Sequence, residues 1–121
     1  MTMDKRLLGS WGEERAAEYL RKRHWKIVGM NYTTRFGEID LIAENRNYIA
    51  FVEVKMRRNA DFAQAREFVT PHKQRRIRLA AESWLSANPT KKQPRFDVME
   101  VYAPEGLLTK EPVFQHFENA F

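Results

Sequence analysis

The stretch GEIDLIAENRNYIAFVEVK, residues 37–55, decides the fold. Two apolar arms, with Ile39, Leu41 and Ile42 on one side and Ile49, Phe51, Val52 and Val54 on the other, flank the polar ENRN. That pattern predicts an antiparallel hairpin over residues 38–44 and 48–55. Four charged residues interrupt it: Glu38, Asp40, Glu53 and Lys55. Side chains alternate across a strand, so Glu38, Asp40 and Ile42 share one face, as do Ile49, Phe51, Glu53 and Lys55. A tight turn centred on Asn45-Arg46 pairs Glu44 with Asn47. Counting back sets Glu38 opposite Glu53, Asp40 opposite Phe51, and Lys55 opposite Phe36. All four charges then fall on one face at one end, with Asp40 and Glu53 as diagonal neighbours about 7–8 Å apart at the backbone.

Like charges facing each other on a sheet repel. Three carboxylates against one lysine leave surplus negative charge, which either a proton or a cation must neutralise. Clustered carboxylate oxygens suit Mg²⁺ or Mn²⁺. A lysine two residues after Glu53 points the same way and reaches a phosphate or an attacking water. Acid, acid and lysine around a metal ion is an arrangement for hydrolysing phosphodiesters. The competing reading is an edge hairpin whose acids face water and pair with arginines; the spacing of Asp40, Glu53 and Lys55 alone is short and weakly specific.

Outward from the hairpin, SWGEERAAEYLRKRH reads as a helix, with Ser10 and Glu13 as a capping box and Ala16, Ala17 and Leu20 as its apolar stripe. WKIVGMNY is a strand, and MRRNADFAQAREF has no period and reads as a loop. Thr70 caps a second helix with Pro71 at its first position, and Ile77, Ala80, Ala81, Trp84 and Leu85 form its buried face. SANPT ends that helix. RFDVMEVYA is a strand, EGLLTKEP a connection, and VFQHF a short strand or terminal segment. The expectation is one α/β domain over residues 1–121, a mixed sheet flanked by helices in the order α-β-β-β-α-β-tail.

The chain has 121 residues, 43% of them hydrophobic, which excludes wholesale disorder and permits one modest core. Its formal charge of +5 suits a polyanionic partner, although such a charge is also ordinary for solubility. There is no cysteine, so disulfides, thiolate nucleophiles and cysteine-based zinc sites are excluded. The start MTMDKRLLGSW has no apolar run, and no stretch is apolar for long enough to span a bilayer. The expectation is a cytoplasmic protein without membrane association.

Basic residues gather where acids usually sit. The second helix begins PHKQRRIR, and cations at a helix N-terminus oppose its dipole. His72, Lys73, Arg75 and Arg76 are less unfavourable there if an anion binds, though a solvated basic face is the plain alternative. Lys73 precedes Ile77, Ala80 and Trp84 on the buried stripe and so faces inward. Arg57 and Arg58 follow the second hairpin arm and are placed to clamp a phosphate. The expected nucleic-acid contacts are therefore Arg57, Arg58, Lys73 and Arg76. The run RKRHWK is explained by a helix C-terminus. Trp11, Trp25 and Trp84 are read as core, and His24, His72 and His116 lack metal-ligand spacing.

Asp40 followed by Glu53-Val54-Lys55 resembles the PD-(D/E)xK nuclease core. The longer strings GEIDLIA, FVEVK with Arg58 after it, VTPHKQRRI, RFDV and the closing ENAF resemble the YraN family of bacterial proteins, from Gly12-Glu13 to Phe121. That family is similar to archaeal Holliday junction resolvases and other restriction-endonuclease-like folds. The resemblance implies Asp40 and Glu53 as metal ligands, the Val54 carbonyl as a third, Lys55 as the catalytic lysine and Glu38 as a further acid. It also matches Glu13 to the first-helix acid of resolvase-like enzymes, whereas the capping box explains Glu13 without chemistry. Two departures stand out: Ile39 replaces the motif's proline, and Phe62-Ala63 stands where an aromatic followed by glycine is expected.

Three functions compete. The first is a Mg²⁺- or Mn²⁺-dependent endonuclease acting on DNA, on branched or repair intermediates, and as a homodimer if it resembles resolvases. The second is a non-catalytic nucleic-acid-binding module on the same fold. The third is a protein-interaction subunit with incidental acids. Intact Asp40, Glu53 and Lys55 favour the first over the second, and the basic helix start favours both over the third.

Overall fold

The computed structural model describes residues 5–58 and 69–121. Its elements are helix α1 (Lys5–Arg21), strands β1 (Lys26–Thr33), β2 (Glu38–Glu44) and β3 (Tyr48–Arg57), helix α2 (Pro71–Ala87), and strands β4 (Gln93–Tyr102) and β5 (Val113–Phe117). A single 3₁₀ turn, Gly106–Leu108, lies within the expected connection. The five strands form one sheet in the spatial order β1-β2-β3-β4-β5. Every pair is antiparallel except β3 and β4, which run parallel. A parallel pair needs a long crossover, and α2 lies within it. The α/β class, the mixed sheet and the element order are as the sequence predicts, with the tail resolved as β5.

The sheet separates two cores. On one face Ala16, Ala17 and Leu20 of α1 pack with Leu41, Ala43, Ala50, Val52, Met99 and Val101. On the other, Ile77, Ala80 and Ala81 of α2 pack with Ile42, Ile49, Phe51 and Val98. Central strand β3 is buried on both faces, and its Phe51 and Val52 are each 1% exposed. Burying each such side chain is worth about 1.5–3 kcal/mol, which sets β3 as the strand that holds the sheet between the helices. Trp25 is buried, and Trp11 and Trp84 pack against the two cores.

Two expectations are corrected. Ser10 is not a cap: α1 is already helical from Lys5, so Ser10 and Glu13 lie inside it and make no capping box. Trp11 packs onto the core cluster, which extends the apolar stripe upstream of Ala16 to the residue just after Ser10. Helix and sheet approach closely at Gly12, where a Cβ would meet Met56 Sδ at 2.1 Å. The hairpin turn is also displaced by one residue. Asn45 N donates to Tyr48 O at 3.1 Å, so the turn centres on Arg46-Asn47. The Asn45 side chain decides this, because its Oδ1 accepts from Asn47 N at 3.0 Å and Tyr48 N at 2.8 Å. The ladder therefore pairs Glu44 with Ile49 and Leu41 with Val52. One step further along this register brings Asp40, not Glu38, level with Glu53. Glu38 pairs instead with Thr33 on β1. The shift changes the register by two residues, so the two arms keep their faces.

The second helix forms as its cap predicts: Thr70 Oγ1 accepts from Lys73 N at 3.2 Å, and Pro71 is the first helical residue. Of the loop expected over residues 56–68, Met56 and Arg57 belong to β3. Its later part, including Phe62-Ala63, lies outside the described residues. Among the described residues, no helix is long and apolar enough to cross a membrane.

Candidate functional site

The hairpin opens where its charges begin. The last ladder pair of β2 and β3 is Leu41 with Val52, and beyond it the Asp40 side chain replaces a main-chain partner. Asp40 Oδ2 accepts from Val54 N at 2.8 Å. On the other side of β2, Asn31 lies between the pairs Met30 with Leu41 and Tyr32 with Ile39, and its φ is 51°. Asparagine is among the few non-glycine residues that enter this left-handed region readily. The backbone break there upsets strict alternation: Leu41 packs on the α1 side of the sheet, yet Ile39 packs on the α2 side. Asp40 sits at the break and is reached from both sides.

Four carboxylates meet around this fork. Glu13 comes from α1, Glu38 and Asp40 from β2, and Glu53 from β3. Burial, then the charge of Glu53, pushes the Asp40 carboxyl up to about 8, with Glu13 adding to the rise and the Val54 amide opposing it. Burial also raises Glu13, against hydrogen bonds with Asp40 and Asn31 that lower it. The pair is thus arranged with Asp40 holding a proton and Glu13 accepting it. With its nitrogen turned to the acids, the Asn31 amide donates to Glu13 Oε1 and to Glu38 Oε1, each at 3.0 Å.

Glu53 is 7% exposed and carries two cations on one oxygen. Lys73 Nζ, from the first turn of α2, donates to Glu53 Oε1 at 2.5 Å. Lys55 Nζ lies 3.7 Å from the same oxygen. Burial, then the charge of Lys73, lowers the Lys55 ammonium pKa. Burial would lower that of Lys73 too, but its hydrogen bond and attraction to Glu53 outweigh this and raise it. An open cleft of about 440 Å³ lies over these groups, lined by Gly37, Glu38, Asp40, Glu53, His72, Lys73, Arg76 and Ile77. Across it Arg76 Nε donates to Phe36 O at 2.5 Å.

The structure therefore brings together Glu13, Glu38, Asp40, Glu53, Lys55, Lys73 and Arg76. It does not bring all four expected phosphate-binding cations to one rim. Arg57 Nε donates to Glu100 Oε2 at 3.1 Å, and Glu100 is 1% exposed. Arg57 and Arg58 line a separate hollow of about 130 Å³ with Leu8, Met56, Ala103 and Gly106. A buried acid on β4, invisible to hairpin counting, draws Arg57 away from the cleft. Among the described residues, no three or more acidic or histidine side chains are gathered closely enough to enclose a metal ion.

Two further features escaped the sequence reading. Asn31 is one; an asparagine between apolar strand residues (GMNYT) was its only signal. The other is a buried knot behind the sheet's far end. Asp97 is fully buried, and its oxygens accept from Arg95 Nε at 3.0 Å, Arg95 Nη2 at 2.8 Å and Asn119 N at 2.9 Å. His116 Nε2 lies 2.7 Å from Asp97 Oδ2. Phe121 stacks on Phe96 at 5.4 Å. The strings RFDV and ENAF thus hold the C-terminal segment to β4.

An α/β domain of restriction-endonuclease-like architecture, with an acidic cluster and two lysines at a strand fork, is the class that fold and site define. The family model described as uncharacterised protein family UPF0102 matches residues 12–101. A UPF0102 protein of Caldanaerobacter subterraneus subsp. tengcongensis is 44% identical over 120 residues, covering 98% of each chain. One from Syntrophomonas wolfei is 42% identical over 117 residues, covering 96% of this chain and 98% of its own. One from Rhodococcus opacus is 40% identical over 115 residues, covering 94% and 95%. The chain belongs to the UPF0102 family, the YraN family that its motifs resemble.

Proposed function

We propose that this protein is a Mg²⁺- or Mn²⁺-dependent endonuclease that hydrolyses DNA phosphodiester bonds, with branched or repair intermediates as its substrates. The observation that carries the reading is the placement of Asp40 level with Glu53 at the strand fork, beside Lys55 and under a cleft with a basic wall. The donor set fits the ion. Asp40 and Glu53 offer hard carboxylate oxygens, and Mg²⁺ commonly uses one or two carboxylates, completing its shell with water and phosphate.

Asp40 and Glu53 would hold the ion, with the Val54 carbonyl as a further ligand. Bound there, a divalent ion polarises a phosphoryl oxygen and lowers the pKa of a water. Glu13, hydrogen-bonded to Asp40, is placed to keep or pass on the proton that Asp40 gives up. Lys55 orients the attacking water or stabilises charge growing on the phosphate. Lys73 and Arg76 hold flanking phosphates from the cleft wall, and Glu38 with Asn31 fixes the cleft's acidic edge. A non-catalytic nucleic-acid-binding module is the second reading, and the contact of Lys73 on Glu53 favours it, since an ammonium sits where an ion would bind.

Purified protein with Mg²⁺ or Mn²⁺ is assayed on linear, single-stranded, flapped and four-way DNA. Cleavage lost in both Asp40→Asn and Lys55→Ala supports the endonuclease. Cleavage that persists in both is a contaminant, and DNA binding without any wild-type cleavage selects the second reading.

A further inference from the structure

Lys73 sits in an unusual place for a phosphate-binding residue. Its ammonium donates to Glu53 at 2.5 Å, closer than Lys55 at 3.7 Å, and both reach the same oxygen. The Glu53 side chain is 8% exposed, while that of Lys73 is 40% exposed. The carboxylate is therefore fixed in the sheet, and the lysine approaches it from the open cleft. Its backbone is anchored, because Lys73 N donates to the Thr70 cap at 3.2 Å. A lysine stem has four flexible carbons ending in a compact, strongly hydrated charge. It can swing about that anchor without disturbing α2. Arg76, one turn on, lines the same cleft and is tied to the Phe36 carbonyl instead of to an acid.

We infer that Lys73 is a tethered counter-ion that competes with the divalent cation for Glu53 and turns to a substrate phosphate once that cation is bound. The inference rests on the metal-dependent reading of the site and adds a role that the reading does not require. Without metal, Glu53 is a buried carboxylate, and removing a buried charge's partner is strongly destabilising. Lys73 supplies the closer of its two partners, Lys55 being the other. A divalent cation at Glu53 repels a nearby ammonium, so the two occupants of the oxygen exclude one another. The displaced ammonium remains in the cleft, where a nucleic-acid phosphate is the available anion. The consequence is coupling: phosphate binding draws Lys73 off Glu53 and so tightens metal binding, and metal binding tightens phosphate binding by the same factor.

The test is Mn²⁺ titration calorimetry without nucleic acid, on wild type, Lys73→Met, Arg76→Met and Asp40→Asn. Removing the competitor should tighten Mn²⁺ binding in Lys73→Met by about two- to fivefold, the upper part of the range for a partly exposed ion pair. Arg76→Met controls for the loss of one positive charge in the cleft and should stay within about twofold of wild type at 0.15 M salt, because its guanidinium is tied to the Phe36 carbonyl and makes no contact with Glu53. Thermal unfolding reads the same linkage: metal-free Lys73→Met melts below wild type, and saturating Mn²⁺ narrows the gap. Unchanged or weaker Mn²⁺ binding in Lys73→Met overturns the inference alone, as does equal tightening in Lys73→Met and Arg76→Met. No Mn²⁺ binding by wild type or by Lys73→Met overturns both the inference and the metal-dependent reading beneath it.

Discussion

The Val54 amide donates to Asp40 Oδ2 at 2.8 Å, at the point where β2 leaves β3. This one bond closes the hairpin's last ladder position with a side chain in place of a carbonyl. It also holds the Asp40 carboxyl beside Glu53 and Glu13, where burial and like charge favour its protonated form.

Stability of the metal-free protein should fall as pH rises from about 4 to about 8. The Asp40 carboxyl is raised from 3.8 to about 8 on folding. Between those values the folded state holds a proton that the unfolded state has lost, so each pH unit removes up to about 1.4 kcal/mol. Its contribution is fully present below 3.8 and gone above about 8. Asp40→Asn keeps an acceptor for Val54 and cannot ionise. Urea unfolding in chelator at several pH values should show a flatter slope and higher stability at pH 8 for the variant; parallel curves would refute the assignment.

Lys55→Ala should lower the cleavage rate by about 10²–10³ while leaving much of the DNA affinity, because a group acting in the transition state affects turnover more than ground-state binding. Single-turnover rates compared with filter-binding affinities separate the two. An equal loss in both would make Lys55 a binding residue.

Arg76 and Arg57 should behave differently. Arg76 lines the cleft, so Arg76→Ala should flatten the salt dependence of DNA binding by about one unit of log-log slope. Arg57 is bound to buried Glu100, so Arg57→Ala should instead destabilise the fold by about 3–5 kcal/mol. Salt titrations and urea melts of both variants decide it, and a matching salt effect in Arg57→Ala would return that residue to the interface.

Asp97→Ala should cost about 3–5 kcal/mol, since it removes the buried carboxylate shared by buried Arg95 and half-buried His116. Burial raises the Asp97 pKa, but hydrogen bonds from His116, Arg95 and the Asn119 amide outweigh this and hold it low. Its stabilisation is therefore present above the unfolded carboxylate's pKa and lost as pH falls through the lower folded value. Acid titration followed by circular dichroism should show wild type unfolding at lower pH than Asp97→Asn at matched denaturant.

What the sequence alone determined is whatever local periodicity controls. The two hairpin arms follow from alternation, and α2 follows from Thr70, Pro71 and an apolar stripe. The common location of Asp40, Glu53 and Lys55 at one end survives the displaced turn, because a register change of two residues preserves the faces. Even the start of α1 misled, since a serine three residues before a glutamate reads the same whether or not the helix has already begun.

Tertiary structure decided the rest, because it depends on groups that meet only after elements dock. Lys73 meets Glu53 across twenty residues of chain, and Arg57 meets Glu100 across forty-three. The Asn31 backbone enters a conformation that strand propensity disfavours, and its amide then meets acids from two other elements. Period-two counting fails at Asp40 because the sheet itself breaks there. A hydrogen bond to a side chain, a buried charge and its distant partner set the geometry at that break, and none of them leaves a periodic trace in the sequence.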